Sequence, residues 1–261
     1  MPEEVTVPAR HVTPAELAAY RRDGFLVVRQ AFTPAEVIQL RAWTDEVQAY
    51  PEVPGAGYMM YGETSLTDPG RRLINRLENF YPSHAGFKAL FDGDALLGRV
   101  SELLSEPGVL FKDKINFKMP GGDGFKPHQD QQAGWSVYAR LFVTALVSID
   151  AATAENGCLE VAAGQHTRGL IGEEWKPLTE EHLRGVPFIP CPTAPGDVVF
   201  FDSYVPHQSG PNLSPEARRV LYVTYNRLSE GDHRARYYAD KRKSYPPDCE
   251  REPGTQYVYR V

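Results

Sequence analysis

The residues with the clearest chemical potential are His128 and Asp130, which are separated by one position. In an extended segment, residues two apart point to the same face, so an imidazole and a carboxylate could bind one metal ion there. The chain has seven histidines and 34 acidic residues, so roughly one such pair is expected by chance. The pair therefore predicts a metal site only together with a further ligand.

His207 can supply that ligand, because it follows the apolar segment 198–201 and would lie at the mouth of a β-barrel. Two histidines and one carboxylate form the facial triad typical of non-haem iron(II) enzymes, which leaves three positions open for co-substrate and oxygen. His128, Asp130 and His207 are accordingly the predicted metal ligands and catalytic centre.

Arg218 begins an apolar strand shortly after His207. The planar guanidinium matches a carboxylate with two parallel hydrogen bonds, so an inward-facing arginine beside a metal is a suitable anchor for a dicarboxylate. Its neighbour Arg219 would point to the opposite face of the strand.

The elements that position these residues fall into two parts. Thr13-Pro14-Ala15-Glu16 and Thr33-Pro34-Ala35-Glu36 are typical helix starts, with a cap, a proline at the first helical position and an acid in the first turn. A third helix is predicted over 94–104. Residues 50–70 are rich in Pro, Gly and Tyr and are expected to form an irregular segment that either covers a site or is ordered surface.

From Val109 onward, short apolar runs separated by turn residues predict a mainly β fold, and parallel α/β is disfavoured because no helices alternate with them. The predicted strands are 109–118, 139–149, 157–162, 187–191, 197–202 and 219–227. We expect a double-stranded β-helix, or jelly-roll, core with N-terminal helices packed on it. One oxygenase domain would span 1–261, with a mainly helical part at 1–108, the core at 109–230 and a C-terminal extension at 231–261.

Composition limits the possible partners. The chain of 261 residues has a net charge of −6 and a pI of about 5.7, so it carries no electrostatic footprint for nucleic acid or anionic membrane. No apolar run is long enough to span a bilayer and the acidic start lacks a signal peptide's features, which predicts a cytoplasmic protein. Three separated cysteines without a CxxC argue against a disulfide framework. No feature of the sequence indicates the oligomeric state.

The ordered set of motifs resembles the phytanoyl-CoA dioxygenase family over roughly the C-terminal two thirds of the chain. The motifs are His128-Gln129-Asp130, Asn156-Gly157-Cys158-Leu159, Gly164-Gln165-His166, Gly196-Asp197-Val198-Val199-Phe200-Phe201, His207-Gln208-Ser209-Gly210 and Arg218. The resemblance implies iron(II)/2-oxoglutarate oxygenase chemistry on a double-stranded β-helix, with O2 as the second co-substrate. It assigns iron to the triad and the distal 2-oxoglutarate carboxylate to Arg218.

The resemblance also implies secondary roles. Gln129 and Ser209 match positions beside the co-substrate, and Lys114 and Thr144 are further candidates for binding it. Asp130 favours hydroxylation over halogenation, since halogenating relatives lack this carboxylate. His166 matches a structural histidine.

The family includes hydroxylases of ectoine and of small phosphonates as well as of an acyl-CoA. Leu146 replaces a tryptophan of the acyl-CoA enzyme, and the segment from Lys114 to Trp135 is closer to the small-molecule hydroxylases. We therefore expect hydroxylation of a small polar molecule, such as a phosphonate, an amino-acid-like compound or a natural-product intermediate, with release of succinate and CO2. The candidate substrate contacts are Tyr61, Asn79, Trp135 and Tyr138. The 50–70 segment is a candidate cover for the site.

Two alternatives stay open at this point. The same oxidising chemistry could serve desaturation, epimerisation or ring closure. A catalytically inactive jelly-roll binding protein could also keep the fold, although such a protein has no reason to retain the triad and Arg218 together.

Overall fold

A computed structural model describes residues 10–257 of the chain. The helices of this part are α1 (Pro14–Asp23), α2 (Pro34–Gln48), α3 (Ala85–Phe91), α4 (Arg99–Leu104) and α5 (Arg234–Ser244). The strands are β1 (Phe25–Val28), β2 (Met59–Thr64), β3 (Arg72–Glu78), β4 (Gly108–Lys118), β5 (Phe125–His128), β6 (Phe142–Ser148), β7 (Leu159–Val161), β8 (Ile189–Cys191), β9 (Val198–Asp202), β10 (His207–Ser209) and β11 (Arg218–Arg227).

The strands form two antiparallel sheets. The major sheet has seven strands in the order β1-β9-β6-β11-β4-β3-β2, and the minor sheet has four in the order β5-β10-β7-β8. An apolar cluster that includes Leu146 and Val220 of the major sheet and Leu159 and Val161 of the minor sheet fills the space between them. This arrangement confirms the predicted mainly β, jelly-roll core.

Helices α1 to α4 cover the outer face of the major sheet, where the largest apolar cluster joins them to β4, β6, β9 and β11. Both predicted helix starts are confirmed as capping boxes, in which Thr13 pairs with Glu16 and Thr33 with Glu36. Each box satisfies backbone N–H groups that the first turn leaves without partners. The third predicted helix is present as one π turn, Asp94–Gly98, followed by α4.

The six strands predicted from residue 109 onward are confirmed as β4, β6, β7, β8, β9 and β11. The expectation of an irregular 50–70 segment is wrong in part, because β2 occupies Met59–Thr64 and pairs with β3. The N-terminal part is also less helical than predicted, since β1, β2 and β3 belong to the major sheet. They were not predicted from the sequence because β1 has only four residues, and polar residues interrupt the apolar pattern of β2 and β3 near the edge of the sheet.

Two further findings concern the described residues as a whole. None of their helices combines the length and apolar character needed to cross a membrane. Cys158, Cys191 and Cys249 are all free thiols, as their spacing predicts.

Candidate metal centre and substrate cavity

The three predicted ligands meet at one end of the minor sheet. His128 is the last residue of β5, Asp130 begins the 3-10 turn that follows, and His207 is the first residue of β10. Because β5 and β10 are antiparallel neighbours with His128 opposite His207, the two imidazoles face each other with ring centroids 4.2 Å apart.

The ligand atoms of His128, Asp130 and His207 all lie within 4.8 Å of one another. His207 Nε2 is 3.9 Å from Asp130 Oδ1. Within residues 10–257, no other set of three or more His, Cys, Asp or Glu side chains has this geometry. A metal with bonds of about 2 Å to each ligand requires such a convergent set.

Hydrogen bonds from the backbone fix which imidazole nitrogen is available. His128 Nδ1 lies 2.7 Å from the carbonyl of Lys126, and His207 Nδ1 lies 3.0 Å from that of Val205. A carbonyl only accepts, so each Nδ1 carries the hydrogen and each Nε2 keeps its lone pair for a metal. The Thr144 hydroxyl donates to Asp130 Oδ2 at 3.3 Å and so orients the carboxylate.

The electrostatics of the triad also favour metal binding. Burial, followed by the charge of His207, lowers the pKa of His128 to about 3. Burial likewise lowers the pKa of His207. For Asp130, burial alone would raise the pKa, but His207 and His128 lower it below its ordinary value. Two neutral imidazoles and one carboxylate are the protonation states that a divalent metal needs.

Arg218 lies where the strand alternation places it, with its side chain inside the fold and only 1% exposed. Its Nε is buried and has no hydrogen-bond partner among the described residues. It is opposite Lys118 in the β4–β11 ladder, and Lys118 Nζ donates to Ser209 Oγ at 2.7 Å. A buried donor without an acceptor beside a second cation is a suitable environment for a carboxylate of a ligand.

Arg219 lies on the other face of β11. Its Nε donates to Asp150 Oδ2 at 2.7 Å, and its Nη1 pairs with Asp45 of α2. The ion pairs hold the helix layer to the sheet, so Arg219 has no access to the metal.

A cavity extends from the triad to β4, and we call its β4 side the lysine wall, formed by Lys112, Lys114 and Asn116. Alternation along β4 points all three into the same space. The Lys114 ammonium lies 4.6 Å from the ring centroid of Tyr222 and forms no hydrogen bond with the described residues. Burial, followed by the charge of Lys112, lowers the pKa of Lys114 to about 7.

The remaining predicted site residues divide into two groups. Ser209, Lys114 and Trp135 line the cavity, and Thr144 contacts a metal ligand. Outside the cavity lie Gln129, Tyr61, Asn79 and Tyr138.

Gln129 differs from the sequence expectation, because its side chain points away from the metal. Its Nε2 donates to the carbonyls of Gly169 and Tyr204, and its Oε1 accepts from the N–H of Ile171. The amide is thus fully used in binding the start of the 169–188 segment and the backbone at Tyr204. Its position between two ligands of an extended stretch explains this, since the middle residue must face the opposite side.

Three of the predicted substrate residues support the structure around the cavity instead. The Tyr61 hydroxyl donates to the carbonyl of Tyr245, and that of Tyr138 donates to Asp240. Asn79 donates to the carbonyl of Gly57. No residue of the 50–70 segment lines the cavity. The segment is held by another part of the chain, because the N–H of Gly55 donates to Glu250 Oε1.

The segment 169–188 lies closer to the metal ligands than 50–70 does. Leu178 N donates to the carbonyl of Pro127 at 2.7 Å, and Gln132 Nε2 donates to the carbonyls of Glu173 and Lys176. His166, just before this segment, contacts the carbonyl of Arg21 at 3.3 Å and is remote from the triad.

Sequence reasoning named Lys114 as a co-substrate candidate but missed Lys112 and Lys118 on the same face of β4. Lys112, Lys114 and Lys118 share one face of a strand whose intervening residues Ile115 and Phe117 are buried in the apolar core. Lysines on the inward face of a two-sidedly buried strand are rare without a function. The alternation of lysines with apolar residues along β4 was the sequence pattern that could have revealed them.

A facial arrangement of two histidines and a carboxylate, at the mouth of a jelly roll and beside a buried arginine, defines the class of non-haem iron(II) oxygenases that use 2-oxoglutarate. The comparisons with known proteins agree with this class. The family model described as "Phytanoyl-CoA dioxygenase (PhyH)" matches residues 20–220. The chain belongs to this family, and it is an iron- and 2-oxoglutarate-dependent dioxygenase.

Curated relatives cover nearly the whole chain. A 2-aminoethylphosphonate dioxygenase of an uncultured bacterium is 41% identical over 95% of this chain and 94% of the relative. A methylphosphonate hydroxylase of Gimesia maris is 37% identical over 90% of this chain and 88% of the relative. Among solved structures, EctD from S. alaskensis with 2-oxoglutarate and 5-hydroxyectoine superposes with a TM-score of 0.70 at 24% identity, covering 87% of this chain and 80% of that one.

Proposed function

We propose that this enzyme hydroxylates a short organophosphonate, and the observation that carries the proposal is the lysine wall. Lys112 and Lys114 face the same cavity as His128, Asp130 and His207. A substrate oxidised at this metal must therefore place an anionic group against two ammonium groups. The two curated relatives described above, both named for phosphonates, support the same substrate class.

A phosphonate fits the lysine wall better than a carboxylate does. It has three acceptor oxygens and can carry two negative charges, so both lysines can donate to it. A dianion can attract two ammonium groups at once, whereas a carboxylate carries a single negative charge. The cavity is also small, which suits a substrate of few atoms.

We assign the co-substrate side as follows. His128, Asp130 and His207 would hold iron(II), and Arg218 would bind the distal carboxylate of 2-oxoglutarate with Ser209 beside it. When bound, iron with 2-oxoglutarate and O2 supplies the oxidising power that inserts one oxygen atom into a C–H bond, with succinate and CO2 as the other products.

The protein's own residues then have three tasks. Lys112 and Lys114 bind the head group and thereby fix which C–H bond lies nearest the metal. Thr144 keeps the Asp130 carboxylate oriented. Trp135, packed against Phe111 and Phe142, lines the cavity and excludes water from that side of it.

The test is turnover with a matched set of substrates. 2-Aminoethylphosphonate, methylphosphonate, the carboxylate analogue 3-aminopropanoate and ectoine are incubated with iron(II), ascorbate and 2-oxoglutarate. We expect succinate in equal amount to a hydroxylated phosphonate, observed by 31P NMR, and little product from the carboxylate. Turnover of ectoine or 3-aminopropanoate in preference to both phosphonates contradicts the proposal.

Product masses separate the other hypotheses in the same assay. Hydroxylation adds one oxygen atom, whereas desaturation and ring closure each remove two hydrogens. A protein that forms no succinate with or without substrate is a binding protein.

We further propose that residues 1–261 act as one oxygenase domain in the cytoplasm, with neither nucleic acid nor membrane as partner. The acidic net charge of −6 supports this, since both of those partners select basic surfaces. A single cooperative unfolding transition, shifted as a whole by iron, is the expected behaviour of one domain.

A further inference from the structure

Lys118 is a buried cation at the end of β4 that the proposed reaction does not yet use. It lies opposite Arg218 of β11 on the inward face of the major sheet, and it is only 2% exposed. Neither cation forms an ion pair with a carboxylate of the described residues. Like charges opposite each other in a sheet repel, so this buried pair needs neutral acceptors or an anion beside it.

The Lys118 ammonium is directed at β10 and at the turn before β7. Its Nζ donates to Ser209 Oγ at 2.7 Å and to the carbonyl of Gly210 at 2.5 Å, and the carbonyl of Gly157 lies at 3.5 Å. A lysine ammonium has three hydrogens, so these three oxygens can account for all of them. Lys118 accordingly does not line the cavity, whereas Ser209 does.

Glycines allow the chain segments around Lys118 to approach so closely. Gly157 has a φ of +73°, and a side chain there would collide with the carbonyl oxygen of Gly210. A side chain at Gly124, just before β5, would collide with the carbonyl oxygen of Ser209. Residues without a Cβ are therefore needed to bring these backbone oxygens around one ammonium.

The hydrogen bond from Lys118 limits what the Ser209 hydroxyl can do. A serine hydroxyl has one hydrogen, and an oxygen that accepts from an ammonium turns this hydrogen in another direction. No acceptor for it is found among the described residues. Because Ser209 lines the cavity, its O–H is available to an acceptor that binds there.

The charge of Lys118 also responds to such a ligand. Burial, followed by the charge of Arg218, lowers the pKa of Lys118 to about 7. An anion bound beside the two cations opposes this shift and favours the ammonium form. The donor to Ser209 is thus strengthened when a carboxylate is present.

We propose that Lys118 is a positioning residue for the co-substrate and acts through Ser209. Its ammonium fixes the serine hydrogen toward the distal carboxylate of 2-oxoglutarate, for which Arg218 is the other partner. The inference rests on the proposed binding of this carboxylate by Arg218. It adds that the preference for a dicarboxylate depends on a lysine that contacts neither the ligand nor the metal.

The experiment measures the binding of two keto acids to the anaerobic iron(II) enzyme by calorimetry. 2-Oxovalerate has the metal-chelating end and the carbon chain of 2-oxoglutarate but lacks its distal carboxylate. We expect Lys118→Met to weaken 2-oxoglutarate binding about tenfold, the size of one hydrogen bond to a charged group. Binding of 2-oxovalerate should change by less than about twofold. Lys243→Met, at an exposed lysine of α5, should match the wild type for both ligands.

A second pair of variants tests whether Lys118 acts through the serine. Ser209→Ala should weaken 2-oxoglutarate binding about as much as Lys118→Met does. The double variant, Lys118→Met with Ser209→Ala, should lie within about twofold of Ser209→Ala. The double variant leaves no unpaired hydroxyl, so its comparison with Ser209→Ala still decides the question if Lys118→Met alone does not fold.

Three results overturn the inference. They are wild-type binding of 2-oxoglutarate in Lys118→Met, an equal loss of affinity for both keto acids in that variant and the double variant, and a loss of more than about threefold from Ser209→Ala to the double variant. The last result would show that Lys118 acts without the serine.

Arg218→Ala, measured in the same way, tests the assignment on which the inference rests. If Arg218→Ala keeps the wild-type preference for 2-oxoglutarate over 2-oxovalerate, the distal carboxylate binds elsewhere and the proposed co-substrate site is wrong. If Arg218→Ala loses this preference and Lys118→Met keeps it, only the role of Lys118 is wrong.

Discussion

The two sides of the cavity are built in different ways. On the metal side, each histidine is oriented by a carbonyl two residues earlier in the chain, Lys126 for His128 and Val205 for His207. On the lysine wall, Lys112 lies among side chains that are far away in sequence, Glu78 of β3 and Tyr237 of α5. Each imidazole on the metal side is thus oriented by local backbone once β5 and β10 have paired, whereas the lysine wall is held by tertiary contacts between side chains.

This difference separates the residues that carry out the oxidation from those that select the substrate. The oxidation needs the same ligands for any substrate, so a locally determined site preserves it through changes elsewhere. The anion-binding side can vary with its supporting elements without disturbing the metal. Substitutions on the two sides should therefore affect different kinetic constants.

The largest effect is expected from Asp130→Ala, which removes the only acidic ligand. We expect turnover to fall more than about a hundredfold, beyond the 10- to 100-fold typical of residues that only support a ligand. Iron should also no longer raise the melting temperature. Asp123→Ala, an exposed acid in the preceding turn, is the control. Metal analysis and succinate formation measure both, and an active Asp130→Ala enzyme would remove the triad assignment.

The second largest effect is expected on the KM for 2-oxoglutarate. The variant is Arg218→Ala, and Arg219→Ala at the adjacent position is its control. Arg218→Ala should raise the KM for 2-oxoglutarate about 10- to 150-fold, since hydrogen bonds between charged groups contribute about 1.5–3 kcal/mol. Arg219→Ala loses the pairs with Asp150 and Asp45 and should lower stability while leaving this KM unchanged. Equal 2-oxoglutarate dependence in the two variants contradicts the inward role of Arg218.

On the lysine wall, Lys112→Gln and Lys114→Gln should each raise the KM for the phosphonate about tenfold. Iron binding and substrate-free succinate formation should persist, because neither lysine is a ligand. Lys126→Gln, on the exposed part of β5, is the matched control. If the two variants lose iron binding instead, the two sides of the cavity are not independent.

The smallest effect is expected at Gln132, which ties the 169–188 segment to the metal strand. Gln132→Ala removes the donors to Glu173 and Lys176 and should lower the free energy of unfolding by about 1–3 kcal/mol. Both KM values should remain near the wild type. Gln39→Ala, exposed on α2, serves as the reference in urea denaturation. A selective change in phosphonate KM would show that the segment takes part in selection.

The contrast between the two sides also explains what the sequence could reveal. The triad and Arg218 could be predicted from the sequence because spacing and strand alternation are local properties. The same holds for the capping boxes at Thr13 and Thr33. Six strands of the core were predictable from their apolar runs.

What escaped prediction depends on tertiary structure. β5 and β10 are three or four residues long and consist largely of polar residues, so no hydrophobic pattern distinguishes them from loops. Glu78 of β3 and Lys241 of α5 form a largely buried ion pair. Both are common surface residue types, and only the packing of β3, β4 and α5 brings them together. Tyr61, Asn79 and Tyr138 were chosen by residue type, which does not indicate the direction of a side chain.

The pairing of His128 with His207 has a consequence for the timing of metal loading. β10 lies between β5 and β7 in the minor sheet, although it follows both in the chain. The iron site therefore cannot assemble on a nascent chain until the strand after residue 207 has left the ribosome and inserted between its neighbours. Such long-range closure is slow compared with local helix formation. The unfinished chain is thereby kept from holding a redox-active metal in its reactive geometry, and iron uptake becomes a marker of completed folding.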